Sequence, residues 1–167
     1  MEKSGFFNSS DGDRVYDATD FAEYFGSLVS NGVFYATPTN LQVSPAIGLA
    51  VSVAAGSAWI KGYRYENTDA LNMPLTTANG SNPRIDRIVV RLNQINRSIK
   101  IAVVDGTPAA TPVAPELTRT SDIYELGIAD VLVPTAATSI VTNNIMDTRL
   151  NTNLCGLVNS LVSAVYE

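Results

Sequence analysis

The stretch that decides the fold is "RIDRIVVRLNQINRSIKIAVVDG", Arg84–Gly106, which sets four arginines and one lysine among two apolar runs. In the first run Ile88, Val90 and Leu92 fall on one side of an extended chain, and Arg87, Val89 and Arg91 fall on the other, because successive side chains of a strand point to opposite faces. In the second run Ile99, Ile101 and Val103 share a side and Lys100 lies opposite. The "NQIN" between them is a turn. The pattern predicts a β-hairpin with an apolar inside and a cationic outside. The cations then belong to a solvated or ion-paired sheet face, with Asp86, Glu125 and Asp130 as carboxylate neighbours. The competing reading is a grip on nucleic acid. With 11 basic against 16 acidic residues and a net charge of -5, the chain lacks the basic stripe on a basic or neutral domain that such binders carry.

On the C-terminal side of the hairpin, "TPAATPVAPELTR" runs as an extended, polyproline-like crossing segment. "IYELGIADVLVP" admits a strand with one bulge or a short helix, and the β-rich surroundings favour the strand. "TSIVTNNIMDTR" reads as a closing loop with a single helical turn.

On the N-terminal side the runs are also short and β-like: "LQVSP", then "LAVSVAAG" with Leu49, Val51 and Val53 alternating with small residues. "SAWIKGYRYEN" reads as a half-buried strand kinked at Gly62. "ALNMPLTTANGSNP" reads as an edge strand, since Pro74 does not suit a central one. Upstream, Phe21, Tyr24, Phe25, Leu28 and Val29 recur at helical spacing and predict a helix from about Ala18 to Ser30, docked by its aromatic face. Asp20 with Glu23 reads as its cap pair, and Asn31-Gly32 as a left-handed stop.

The tail reads differently. Leu150, Leu154, Leu157, Leu161 and Ala164 follow a 4-3-4-3 spacing, the seam of a coiled coil, and Val158, Val162 and Val165 widen it. Gly156 weakens it. The fold class is therefore mainly β, an antiparallel β-sandwich-like domain over residues 1–149. It has one N-terminal amphipathic helix and a coiled-coil-like C-terminal helix over 150–167 that starts an oligomeric stalk. Leu150, Leu154, Leu157, Leu161 and Val165 are the expected oligomer interface.

At 46% hydrophobic residues and a mean hydropathy of +0.10, the chain is not of disordered composition. No apolar run approaches the roughly 20 residues that cross a bilayer. "MEKSGFFNSSDGDR" lacks the apolar core of a secretory signal, so synthesis in the cytoplasm without export by that route is expected. Histidine is absent and Cys155 is the one cysteine, which removes internal disulfides, the commonest general base and the usual zinc sets. Cys155 beside the leucine seam reads as a small buried hydrophobe. "NSSDGDR" lacks the distal glutamate and ligand spacing of a calcium loop and reads as an Asx-type turn. No carboxylate pair stands out and no phosphate-cradling glycine loop occurs, so no catalytic, cofactor or metal residue is nominated. Trp59, Tyr63 and Tyr65 are the candidates for stacking on sugar, against the plainer reading of core or cross-strand aromatics.

Three stretches in order, "SGFFNSSDGDRVYDATDFAEYFGSLVSNGV", "SAWIKGYRYEN" and the segment from "RIDRIVVRLN" to "NNIMDTR", carry a resemblance. Together they resemble the N-terminal domain of bacteriophage tail and baseplate proteins of Gram-positive hosts: receptor-binding proteins, tail fibres and upper baseplate proteins. The resemblance spans roughly residues 4–149. It implies a virion structural protein, made in the host cytoplasm and placed at the tail tip, often a homotrimer. Such a domain attaches a distal, host-recognising part to the baseplate through contacts with other tail proteins. Members usually continue into a receptor-binding region; here the sequence ends at Glu167, so docking is expected ahead of direct host binding. The alternative expectation is a carbohydrate-binding module for host cell-wall glycan. Neither expects nucleic acid or membrane as a partner.

Overall fold

The computed structural model describes residue 2 and residues 4–162. Strand β7 (Arg84–Asn93) turns through residues 94–97 into β8 (Ser98–Val104), the hairpin that the alternation predicts. Its inner face is apolar: Ile88, Val90 and Leu92 are buried, with Ile101 beside them. Strand β9 (Ile123–Val133) pairs antiparallel with the other edge of β7, and the register slips by one residue opposite Ile88 and Val89, which leaves Ile128 as a bulge. The short β10 (Ile145–Asp147) follows a single 3₁₀ turn, Thr142–Asn144, and completes the order β10-β9-β7-β8. The helical turn accords with the sequence; β10 is an addition to it.

Two smaller antiparallel sheets share the core. One has the order β2-β3-β6, from β2 (Val43–Pro45), β3 (Ala50–Val53) and β6 (Leu71–Pro74). Here β6, with Pro74 at its end, is indeed an edge strand, as a residue without an N–H to donate requires. The other has the order β1-β4-β5, from β1 (Gly32–Val33), β4 (Gly56–Ile60) and β5 (Tyr63–Asn67). "SAWIKGYRYEN" is thus two strands rather than one kinked strand. Lys61 (φ 48°) and Gly62 (φ 81°) both take the left-handed conformation, the two-residue hairpin turn that matches strand twist. Val33, Val51, Ile60, Leu126 and Val131 are fully buried where the sheets meet.

The second face of the β7–β9 sheet answers the question of the cations. It is ion-paired and largely covered at Arg87, while Arg91 keeps 35% of its side chain exposed and Lys100 beside it is exposed. Arg87 reaches Asp130 through two hydrogen bonds of 2.6 and 2.8 Å and donates a third, of 2.6 Å, to the Pro115 carbonyl. Arg91 binds Glu125 at 2.5 Å, and the second Glu125 oxygen accepts from Thr118 N at 2.7 Å. On the opposite, apolar face, the side of Ile88, Arg84 at the start of β7 clasps Asp86 and donates to the carbonyls of Thr76 and Thr77. Asp86 also accepts from Gly106 N at 2.8 Å. The proline-rich crossing segment lies over the Arg87–Arg91 face and supplies the Pro115 carbonyl and the Thr118 N–H to it. Buried charges are tolerable only when paired and hydrogen-bonded in this way.

Among the described residues there is one α-helix, α1 (Ala18–Leu28). Its capping box is one turn earlier than Asp20 and Glu23. The Asp17 side chain accepts from Thr19 N and Asp20 N, and Asp20 accepts from Asp17 N at 2.9 Å. Nor does Asn31-Gly32 end it: Val29 is already extended, and Gly32 opens β1. No helix among the described residues is long and apolar enough to cross a membrane.

Candidate functional site

Helix α1 docks by Ala22 rather than by its whole aromatic face, of which Phe25 alone reaches the sheet, against Trp59. Its buried residue is Ala22, which lies against the β4–β5 turn so closely that a Cβ at Gly62 would overlap the Ala22 carbonyl. Small residues on both sides bring the two backbones together, and no ring fits between them. Phe21, Tyr24 and Phe25 are instead displaced to the flanks and stay 43–47% exposed.

The N-terminal arm meets them there. The Phe6 ring packs on Tyr16 (5.4 Å between centroids), Phe21 (5.6 Å) and Tyr24 (4.9 Å). The series runs on through Phe25 to Trp59, edge-on at 6.0 Å. Tyr16 Oη accepts from Phe7 N at 2.9 Å and so holds the arm in place. Phe6 itself sits at φ 63°, and Phe6 and Phe7 are about half exposed. Left-handed backbone at a bulky residue is costly, and the rings leave an exposed aromatic patch on this side of the molecule. The turn in "NSSDGDR" lies beside it as read, with Ser10 N donating to Asp13 at 2.7 Å.

The aromatic trio of the sugar reading does not converge. Ala58 pairs with Tyr65 and Ile60 with Tyr63, while Trp59 pairs with Arg64. Directly paired residues share a face, so Tyr63 and Tyr65 follow Ile60 towards the core, and Trp59 stands on the opposite side against Phe25 and Phe34. Trp59 Nε1 is buried without a partner. Tyr63 and Tyr65 line a cleft of about 660 Å³, and burial pushes the Tyr65 hydroxyl pKa up.

The tail also departs from its pattern. Over 150–162 the chain makes turns and isolated bridges, not a helix. Gly156 takes φ 83°, a conformation that suits glycine and ends any helix. Cys155 N and Leu154 N fold back on the Asn151 carbonyl, and "NTN" was the turn signal available in the sequence. The leucines consequently share no seam: Leu150 is 60% and Leu161 40% exposed, while Leu154 and Leu157 are half-buried. The Leu154 carbonyl accepts from Gly127 N and from the Arg119 guanidinium, both at 2.9 Å. Leu157 bridges Val33 and Ser160 bridges Val29. Val165 and Ala164 lie outside the described residues.

Cys155 is buried as read. Burial pushes its thiol pKa up to about 12, against smaller opposing effects from a backbone hydrogen bond and from Arg149 and Arg119. A thiol so held is not a nucleophile. Among the described residues no group of three or more metal-ligating side chains converges.

No protein-family model, curated protein or solved structure matches the chain.

Proposed function

We propose that this chain is a virion structural protein of a phage tail tip, a β-sandwich-like docking domain that joins the baseplate to a host receptor-binding fibre. The observation that carries the reading is the aromatic surface of the arm and α1. Phe6, Phe7, Phe21, Tyr24 and Phe25 are all between 43% and 58% exposed, and clustered exposed apolar side chains of this kind are a feature of interaction surfaces. Assembly is the function such a surface serves. The sequence resemblance supplies the setting, and self-association as a homotrimer is part of the same proposal. The exposed Leu150, Leu161 and Val162 offer it a second apolar contact.

A gold-labelled antibody raised against the chain should decorate the tail tips of virions released by cells that encode it. Label confined to the cytoplasm or cell wall overturns the reading. The assembly component is tested by light scattering behind a sizing column. Phe21→Glu with Tyr24→Ser should lower the particle mass of an assembled form while β-structure by circular dichroism stays unchanged. An assembled form that survives the double change removes this surface from the docking role.

A further inference from the structure

The roughly 660 Å³ cleft runs along the outer edge of β5, faced by Leu92, Ile99 and the turn between β7 and β8 and closed at one end by the first turn of α1. Both bordering strands are last in their sheets: β5 in β1-β4-β5 and β8 in β10-β9-β7-β8. Residues that flank a two-residue hairpin loop exchange hydrogen bonds with each other. The main-chain groups of Tyr63 and Tyr65 therefore turn towards β4, and those of Arg64 and Glu66 turn out into the cleft. Among the described residues no strand pairs with that edge. The Arg64 and Glu66 side chains bind each other at 3.0 Å on the face opposite the tyrosines, so they do not bar the approach. Tyr63, Tyr65 and Ile99 are only half-buried, so the apolar interior continues to the cleft mouth.

We propose that this cleft takes an extended segment of a partner protein, which adds to the β1-β4-β5 sheet as a further strand through the main chain of Arg64 and Glu66. Strand addition of this kind draws affinity from main-chain hydrogen bonds and specificity from alternate side chains. The segment alternates apolar residues, packed on Tyr63, Tyr65, Leu92 and Ile99, with polar ones facing solvent. It also carries a carboxylate. Arg97 lines the cleft from a left-handed turn position, φ 49°, and among the described residues its guanidinium has no hydrogen-bond or ion-pair partner, in a chain with net charge -5. The proposal goes beyond the tail-tip reading and stands without it.

A library of random peptides displayed on yeast, sorted against the full chain, tests it. Enriched peptides should alternate apolar and polar residues and contain Asp or Glu. Added to isotope-labelled protein, they should protect the Arg64 and Glu66 amides from hydrogen exchange. Glu66→Pro removes an outward N–H while leaving the β4–β5 ladder intact, and should weaken binding at least about tenfold. Arg97→Asn, which suits the left-handed turn, should weaken it about threefold and erase the acidic preference. Absence of enrichment, protection elsewhere, or undiminished binding to Glu66→Pro overturns the proposal. Concentration-dependent protection of the two amides without peptide gives the edge to a second copy and overturns it. Chitotriose shifting Tyr63 and Tyr65 while no peptide binds gives the cleft to a saccharide and likewise overturns it.

Discussion

Replacing Arg87 with methionine tests the central claim about the β7–β9 sheet, that its cations are buried structural partners. Arg87 is 7% and Asp130 4% exposed, and the substitution removes both hydrogen bonds to the carboxylate and the one to the Pro115 carbonyl. Asp130 is then an uncompensated buried charge, a situation that costs about 3–5 kcal/mol, with about 1 kcal/mol more for the orphaned carbonyl. A urea titration followed by Trp59 fluorescence reads this directly. With a slope of about 1–3 kcal/mol per molar urea, the midpoint should fall by roughly 2 M. Arg87→Met combined with Asp130→Val removes both charges, and replacing a whole buried pair by apolar groups is close to neutral. The double variant should therefore recover most of the loss and retain only the deficit at Pro115. A single variant that loses under about 1 kcal/mol, the worth of a surface pair, or a double variant as damaged as the two singles added together, would refute the reasoning.

Other consequences are simpler to check. Gly62→Ala sets a methyl against the Ala22 carbonyl at a left-handed position, so it should cost about 1–3 kcal/mol. It should also shift Trp59 emission to the red as α1 lifts, with the β-sheet circular dichroism retained. Cys155, its pKa raised to about 12, should react with an aromatic disulfide reagent at pH 8 only after denaturation; prompt reaction of the native protein contradicts the burial. Burial pushes the Asp147 carboxyl pKa up, but the hydrogen bonds and charge of Arg149 outweigh it and hold it below the ordinary value. A lowered folded-state pKa gives stability that is present above the ordinary carboxylate pKa and is lost as pH falls through the folded value. Acid melts should show that loss below about pH 4, and Arg149→Met should flatten it.

The β-elements that alternation or turn chemistry marks were readable from single residues outward. Ile88, Val90 and Leu92 against Arg87 and Arg91 locate the hairpin, and Asp86, Glu125 and Asp130 are legible in the sequence as carboxylate partners of its cations. What alternation did not convey is that the second face is also covered at Arg87, Glu125 and Asp130. The covering segment is proline-rich and aperiodic, and its contribution is carbonyl and N–H groups that every residue type shares. The helix was legible by period but not by orientation, because its docking depends on Ala22 and Gly62, residues too small to register in a hydrophobic stripe. The tail misled for a related reason. Leucines at 4-3-4-3 spacing also arise where a chain makes separate contacts with Val29, Val33 and Gly127, and Gly156 with "NTN" carried the stronger message. The cleft beside β5 was legible only in its tyrosines, since an unpaired strand edge is a property of topology.

The two ion pairs on the covered face sit on opposite sides of the Ile128 bulge. Arg87 faces Asp130 in one register, and Arg91 faces Glu125 in the register shifted by one. A β9 strand laid down without the bulge satisfies one pair and turns the other carboxylate to the wrong face. The charges therefore specify the bulged register. Neither pair alone distinguishes the bulged strand from a straight one, but the two together accept only the alignment in which Ile128 is looped out. Most of the aliphatic residues of β9 would tolerate a slip, so the two pairs are the side chains that tell the registers apart.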